Sequence, residues 1–194
     1  MELLFASKNP NKIKEIQSFA GKDIKIIGLN TTGIDEDIPE NEPTLEDNAS
    51  AKSWYVFKRT GKHCFADDTG LEIEALDGKP GVHSARYSGM EKNDDANIRK
   101  VLHELQNVSN RKARFRTVIS LIIGGKEKLF EGTVYGEIIE QKRGNKGFGY
   151  DPVFVPDGYD KTFAEMSLEE KNSISHRTAA VVKLVEYLRK NLLI

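Results

Sequence analysis

Residues 64–89, CFADDTGLEIEALDGKPGVHSARYSG, are the stretch that the rest of the chain serves. A short apolar run, Cys64-Phe65-Ala66, delivers two adjacent acids, Asp67 and Asp68, and Thr69-Gly70 follow at once. Leu71, Ile73 and Ala75 then alternate as in a strand with one buried face, and a turn rich in Gly and Pro leads into Ser84-Ala85-Arg86-Tyr87. Carboxylates at the end of an apolar strand reach a ligand from a rigid base. The stretch therefore reads as a strand that ends in a metal-binding edge of an active site. The same pair of acids at a simple turn between two strands is the alternative.

Upstream, Leu3-Leu4-Phe5-Ala6 is a continuous apolar run suited to a strand buried on both faces. Pro10 fits the first turn of a helix that Ser7 or Asn9 can cap. Ile13, Ile16 and Phe19 or Ala20 follow at helical spacing, and Gly21 ends the helix. Residues 24–29 make a second strand, which gives a β-loop-α-β opening. Lys8 and Lys12 lie at the helix N-terminus, where the dipole disfavours cations unless an anion sits between them. This is either a phosphate cradle or a solvated first turn. The Gly-rich P-loop pattern is absent. Residues 30–43 form an acidic loop (Asp35, Glu36, Asp37, Glu40, Glu42), with Glu40 shortly before the next helix. That helix is predicted over residues 44–59, capped by Thr44 with Asp47 three positions on. Leu45, Ala49 and Val56 face its core side, and Asn48, Lys52 and Tyr55 form an adjacent polar stripe. Lys52 either points into a site or is a surface lysine.

Downstream, a helix starts at Asp94 with Ile98, Val101, Leu102 and Leu105 as its apolar face. Residues 113–123 and 128–140 are long strands joined at Gly124-Gly125 as a hairpin. In Lys146-Gly147-Phe148-Gly149-Tyr150-Asp151-Pro152, glycine on both sides of Phe148 either presents the ring as a stacking platform for a base or lets it tuck into the core. A strand over residues 153–156 and a short helical turn over 167–171 follow. The last helix is expected over residues 172–193, capped by Ser173 or Ser175, with Val181, Val185, Leu188 and Leu192 buried. His176 and Arg177 fall in its first turn and Lys171 just before it. Cations there either serve a site that holds an anion or a carbonyl oxygen or are incidental to the helix start.

The 194 residues make one domain, with room for two lobes. A lone cysteine, Cys64, excludes an internal disulfide framework and fits a reducing cytosol. No apolar run approaches a membrane span, and the first residues read as a strand rather than a signal peptide. A net charge of -1 lacks the footprint of a nucleic-acid binder.

The site candidates are acids (Glu40, Asp67, Asp68), bases (Lys8, Lys12, Lys52, Lys171, Arg177) and one presented aromatic (Phe148). Acids bind a hard cation, bases neutralise a polyphosphate, and an aromatic stacks a base. In this arrangement the chain resembles the inosine triphosphate pyrophosphatase family. The resemblance rests on Ser7-x-Asn9-x-x-Lys12, Glu40 ahead of Glu46-Asp47-Asn48-Ala49-x-x-Lys52, Asp67-Asp68-Thr69-Gly70-Leu71 and Gly81-Val82-His83-Ser84-Ala85-Arg86-Tyr87. Gly147-Phe148-Gly149-Tyr150-Asp151-Pro152 and Ser175-His176-Arg177 complete it, in order and over nearly the whole chain. Thr69 stands where the family often has Ser, and His83 where it often has Tyr.

The resemblance implies an elongated α/β fold with a long, twisted mixed sheet flanked by helices, and two lobes with a central cleft in a single domain over residues 1–194. It implies Mg²⁺-dependent hydrolysis of ITP, dITP and XTP to the monophosphate and pyrophosphate, which clears deaminated purines from the nucleotide pool. A cytoplasmic homodimer without nucleic-acid or membrane partners is the expected assembly. By the same resemblance, Asp68 is metal ligand and general base, Glu40 is a second metal ligand and Asp67 supports them. Ser7, Asn9, Lys12 and Lys52 hold the triphosphate, with Lys8, Asn11 and Thr69 in the substrate-binding set. Phe148 stacks on the purine, beside Gly149, Tyr150 and Asp151, and Lys171, His176 and Arg177 read the base. A related pyrophosphatase for pyrimidine or modified nucleotides and a nucleotide sensor without turnover share some of these parts. Three carboxylates are more than a sensor of phosphate needs.

Overall fold

The computed structural model describes residues 1–34, 36 and 38–192, with Thr31 and Leu192 described by backbone alone. Asp35 and Asp37 of the acidic loop, and the Leu192 side chain of the last apolar stripe, lie outside the described residues.

Six strands form one mixed sheet in the order β2-β1-β3-β4-β5-β6. The apolar opening run is β1 (Glu2–Phe5), parallel both to β2 (Lys25–Gly28) and to β3 (Cys64–Ile73). Between β1 and β2 runs α1 (Pro10–Ala20), capped by Asn9, whose side chain accepts from the Asn11 and Lys12 N–H groups. Ser7 instead accepts from Asn9 N–H, so it braces the cap rather than forming it. The second strand is shorter than expected, because Leu29 opens a 3-10 turn. Helix α2 (Leu45–Thr60) is capped by Thr44, whose hydroxyl accepts from Asp47 N–H and donates to the Asp47 carboxylate. Helix α3 (Asp94–Glu104) precedes the hairpin of β4 (Lys112–Ile123) and β5 (Lys126–Ile138). Gly124 and Gly125 both have positive φ, as a two-residue hairpin turn demands. The edge strand β6 (Phe154–Pro156) is antiparallel to β5 and is entered through a 3-10 turn, Asp151–Val153.

Two further expectations fail. The strand does not end at the acids: β3 runs unbroken through Asp67, Asp68, Thr69 and Gly70 to Ile73, and Ala75 lies in a following 3-10 turn. The last helix does not begin at residue 172. Asn172 belongs to α4 (Leu168–Ile174), Ser175 adopts extended backbone, and α5 (His176–Leu192) starts after it. Helix α4 has a full capping box of its own between Ser167 and Glu170, which sets its start.

The chain divides into two compact units, Met1–Asp68 with Thr117–Gly132 and His176–Ile194, and Thr69–Arg116 with Thr133–Ser175. In the first, the sheet is buried on both faces. Leu3, Phe5, Phe65, Ile119 and Leu121 pack with Ile16 and Ala20 of α1 and Val181, Leu184 and Leu188 of α5. On the opposite face Leu4, Ala6, Cys64, Ala66 and Ile122 pack with Val56 of α2. In the second unit Leu71, Ile73, Ala113, Phe115 and Ile138 pack with Ile98 and Val101 of α3 and with Phe154 and Phe163. There the start of β4 alternates, with Ala113 and Phe115 buried and Lys112 exposed.

Candidate active site

Because β3 continues through both acids, their side chains leave opposite faces of the sheet. Asp67 follows Phe65 onto the face covered by α1 and α5. There Lys12 Nζ of α1 reaches its Oδ1 at 2.8 Å and Arg177 Nε of α5 its Oδ2 at 3.5 Å. Arg177 also donates through Nη1 to the buried Glu15 of α1. Two cations and two carboxylates thus form one set, buried except for the half-buried Lys12. Burial alone would raise the Asp67 pKa, but Lys12, Arg177 and Lys52 outweigh it and hold the carboxyl well below the usual range. Lys12 moves down, because its own burial exceeds the attraction of Asp67.

Asp68 follows Ala66 onto the face covered by α2. Asn48 and Lys52 are one helical turn apart there, and both are buried. Lys52 Nζ lies 2.8 Å from Asp68 Oδ1 and 2.9 Å from Glu40 Oε1, so one ammonium joins two carboxylates. Asn48 Nδ2 donates to Asp68 Oδ2 at 3.3 Å, and the same amide holds the backbone of Glu42 in the loop that carries Glu40. Burial pushes Asp68 up despite Lys52, so this carboxyl is a readier proton acceptor than its neighbour. Burial works against the Lys52 charge as well, yet Asp68 and Glu40 together raise its pKa.

Two hard oxygen donors, Glu40 and Asp68, are therefore brought to one point, and Asp67 is directed away from it. Among the described residues no group of three or more His, Cys, Asp or Glu could hold a metal ion. A pair of carboxylates fits Mg²⁺, which takes one or two and completes its octahedron with phosphate oxygens and water.

The second unit holds the aromatic. Gly147 has φ +75°, and a Cβ there would lie 2.0 Å from Asp151 Oδ2, so only glycine fits. That oxygen accepts from Phe148 N–H at 3.0 Å and pairs with Lys171 Nζ at 2.7 Å. Lys171 is buried and stands 4.9 Å from the centroid of the Phe148 ring. Phe148 is half-buried, neither fully presented nor part of the core. Gly149 N–H donates to Asp94 of α3. Tyr150 is a core residue whose hydroxyl donates to the Ser84 carbonyl.

Ser7, Asn9, Lys12, Glu40, Lys52, Asp67, Asp68, His176 and Arg177 all belong to the first unit, and Lys171 with Asp151 and Phe148 to the second. Lys8 is half-buried and donates to the Glu36 carbonyl, Asn11 is exposed, and Thr69 opens the second unit half-buried on β3. His176, buried, is the first residue of α5. The sequence reading passed over Glu15 and Asp94. Glu15 had a signal, since it lies three residues after Lys12 on the apolar side of α1.

Solved structures define the class first. The chain has the fold of the Staphylococcus aureus Ham1 protein (TM-score 0.90, 43% identity, covering 98% of this chain and 99% of that one). A HAM1 protein from Coxiella burnetii matches likewise (TM-score 0.91, 38% identity, 98% and 99% covered). Residues 3–187 match the Ham1 family, and the chain belongs to it. A dITP/XTP pyrophosphatase of Christiangramia forsetii is 52% identical over 98% of this chain and all of its own length. One from Porphyromonas gingivalis is 53% identical over 96% of this chain and 97% of its own.

Proposed function

We propose that this protein is a Mg²⁺-dependent pyrophosphatase that converts dITP, XTP and ITP to the monophosphate and pyrophosphate. The enzyme class, a nucleoside triphosphate pyrophosphatase, follows from near full-length similarity to dITP/XTP pyrophosphatases. The observation that carries the mechanism is Lys52, buried and bonded to both Glu40 and Asp68. Glu40 and Asp68 would hold the cation, which when bound supplies Lewis-acid stabilisation of the phosphates and a more acidic water. Asp68 takes the proton of the attacking water as that oxygen bonds to the α-phosphorus. The bond from this phosphorus to the α–β bridging oxygen breaks, and pyrophosphate leaves with its charge offset by Lys12 and Lys52. Ser7 and Asn9, at the start of α1, would add hydrogen bonds and the positive end of the helix dipole.

Phe148 would stack on the purine. Lys171, His176 and Arg177 would read the purine 6-position, where a carbonyl accepts a hydrogen bond and an amino group donates one. Removal of deaminated purines from the nucleotide pool, in the cytoplasm and as a homodimer, is the corresponding biological role. Among the described residues no helix is long and apolar enough to cross a membrane. The test is pyrophosphate release from dITP, XTP, ITP, GTP, ATP and UTP with and without Mg²⁺. Turnover of the first three, lost without the metal, is expected. Release from none of them, or faster release from UTP than from dITP, would overturn the reading.

A further inference from the structure

Beside the site, α2 carries a second polar stripe that the proposed reaction does not use. Ser50, Ser53 and Trp54 lie at i, i+3 and i+4 and so share one side of the helix. Ser53 and Ser120 of β4 are both fully buried, and their hydroxyl oxygens are 2.6 Å apart. Ser120 Oγ donates to Glu127 Oε1 of β5 at 2.7 Å, and the other Glu127 oxygen accepts from Trp54 Nε1 at 2.9 Å, which returns the chain of bonds to α2. A hydroxyl has one proton. Ser120 gives its proton to the carboxylate, and Ser53 Oγ lies within bonding distance of both Ser120 Oγ and the Ser50 carbonyl, to which it donates at 2.9 Å. The Glu127 carboxylate is thus the common acceptor of Ser120 and Trp54, and a charged acceptor strengthens both bonds.

A helix packed through apolar contacts alone resists rotation about its axis only weakly, since those contacts are non-directional. The hydrogen bonds are directional, and two of them hold one side of α2. Lys52 is the residue next to Ser53, one step round the helix. Side-chain ends lie roughly 5–6 Å from a helix axis, so a rotation of about 20° displaces them by about 2 Å. That is enough to lose a 2.8 Å contact between Lys52 and Asp68.

We infer that Ser120 and Glu127 are positioning residues that fix the rotation of α2 through Ser53 and Trp54, and so hold Lys52 and Asn48 against Asp68. The inference rests on the proposed role of Lys52. It is tested by steady-state pyrophosphate release from dITP with Mg²⁺, well below the melting temperature, for Ser120→Ala, Lys52→Ala and the double variant. Ser120→Ala should lower kcat/KM about tenfold, within the roughly 10²-fold that a 1 Å misplacement can cost. Lys52→Ala should lower it further, and adding Ser120→Ala to it should change nothing more. Glu127→Ala, which removes the acceptor shared by Ser120 and Trp54, should reproduce the Ser120→Ala loss; it also serves if Ser120→Ala does not fold. Unchanged kcat/KM in both single variants, or the same tenfold loss on the Lys52→Ala background, overturns the positioning role. Full turnover by Lys52→Ala instead overturns the reading of Lys52 on which it rests.

Discussion

Asp67 and Asp68 are chemically identical, adjacent and both buried, yet they stand in opposite environments. Asp67 meets Lys12 and Arg177, and its carboxyl is held ionised well below the usual range. Asp68 shares Lys52 with Glu40, accepts from the Asn48 amide, and is pushed up by burial. The difference follows from the two-residue period of a strand: each acid inherits the face of the apolar residue two positions before it. Neighbouring acids whose environments drive their pKa values apart divide the work. On this account Asp67 is a permanent anion that anchors α1 and α5, and Asp68 is the proton acceptor.

The largest effect that could break the comparison is on turnover. Asp68→Asn should cut kcat by roughly 10²–10⁴, the range for loss of a general base, with the fold intact by circular dichroism. Wild-type turnover in that variant would remove Asp68 from the chemistry. On the other face the loss should be in stability. Asp67→Asn leaves the buried Arg177 and the half-buried Lys12 against a neutral amide and should cost about 3 kcal/mol in urea unfolding, as breaking a buried pair does. A change under 1 kcal/mol would mean that Asp67 is no anchor.

A smaller effect sharpens the contrast with the second unit. Phe148→Ala should weaken substrate binding by about 1–2 kcal/mol, a KM raised roughly 5- to 30-fold with kcat little changed, as loss of one base stack does. A fall in kcat alone would give the ring another role. The smallest effect is the pH dependence of the two stability changes, measured by unfolding between pH 3 and 7. Asp67 faces Lys12 and Arg177, with Lys52 further off, and its folded pKa lies below its unfolded value of about 4. Its contribution is complete above that value and lost as pH falls through the folded pKa, so the cost of Asp67→Asn should grow with pH. Asp68 faces Lys52, Lys12 and Glu40, and its folded pKa lies above the unfolded value. Its contribution is present below about pH 4 and lost as pH rises through the folded pKa, so Asp68→Asn should become relatively more stabilising towards pH 7. Parallel trends for both variants would contradict the split.

Where structure depends on neighbours in sequence, it was legible. Pro10 with its cap, Thr44 with Asp47, and Gly124-Gly125 each carry their own start or turn. The continuation of β3 was not legible. Asp, Asp and Gly are poor strand residues, and they remain in the sheet because cations from α1, α2 and α5, distant in sequence, neutralise the acids. The break at Ser175 was not legible either, since no Gly or Pro marks it. Of the candidate site, the residue types and their order were readable, whereas the partners were not. Lys171 pairs with Asp151, and Arg177 with Asp67 and Glu15, although only six positions separate Lys171 from Arg177.

The division of labour between the acids is tested most directly by the acid limb of the kcat/KM profile for dITP hydrolysis, which reports the essential base of the free enzyme. The account predicts that the limb follows Asp68. Asp67→Asn should retain it near the wild-type position, and the residual activity of Asp68→Asn should lose it. A limb that disappears in Asp67→Asn and survives in Asp68→Asn would contradict the account.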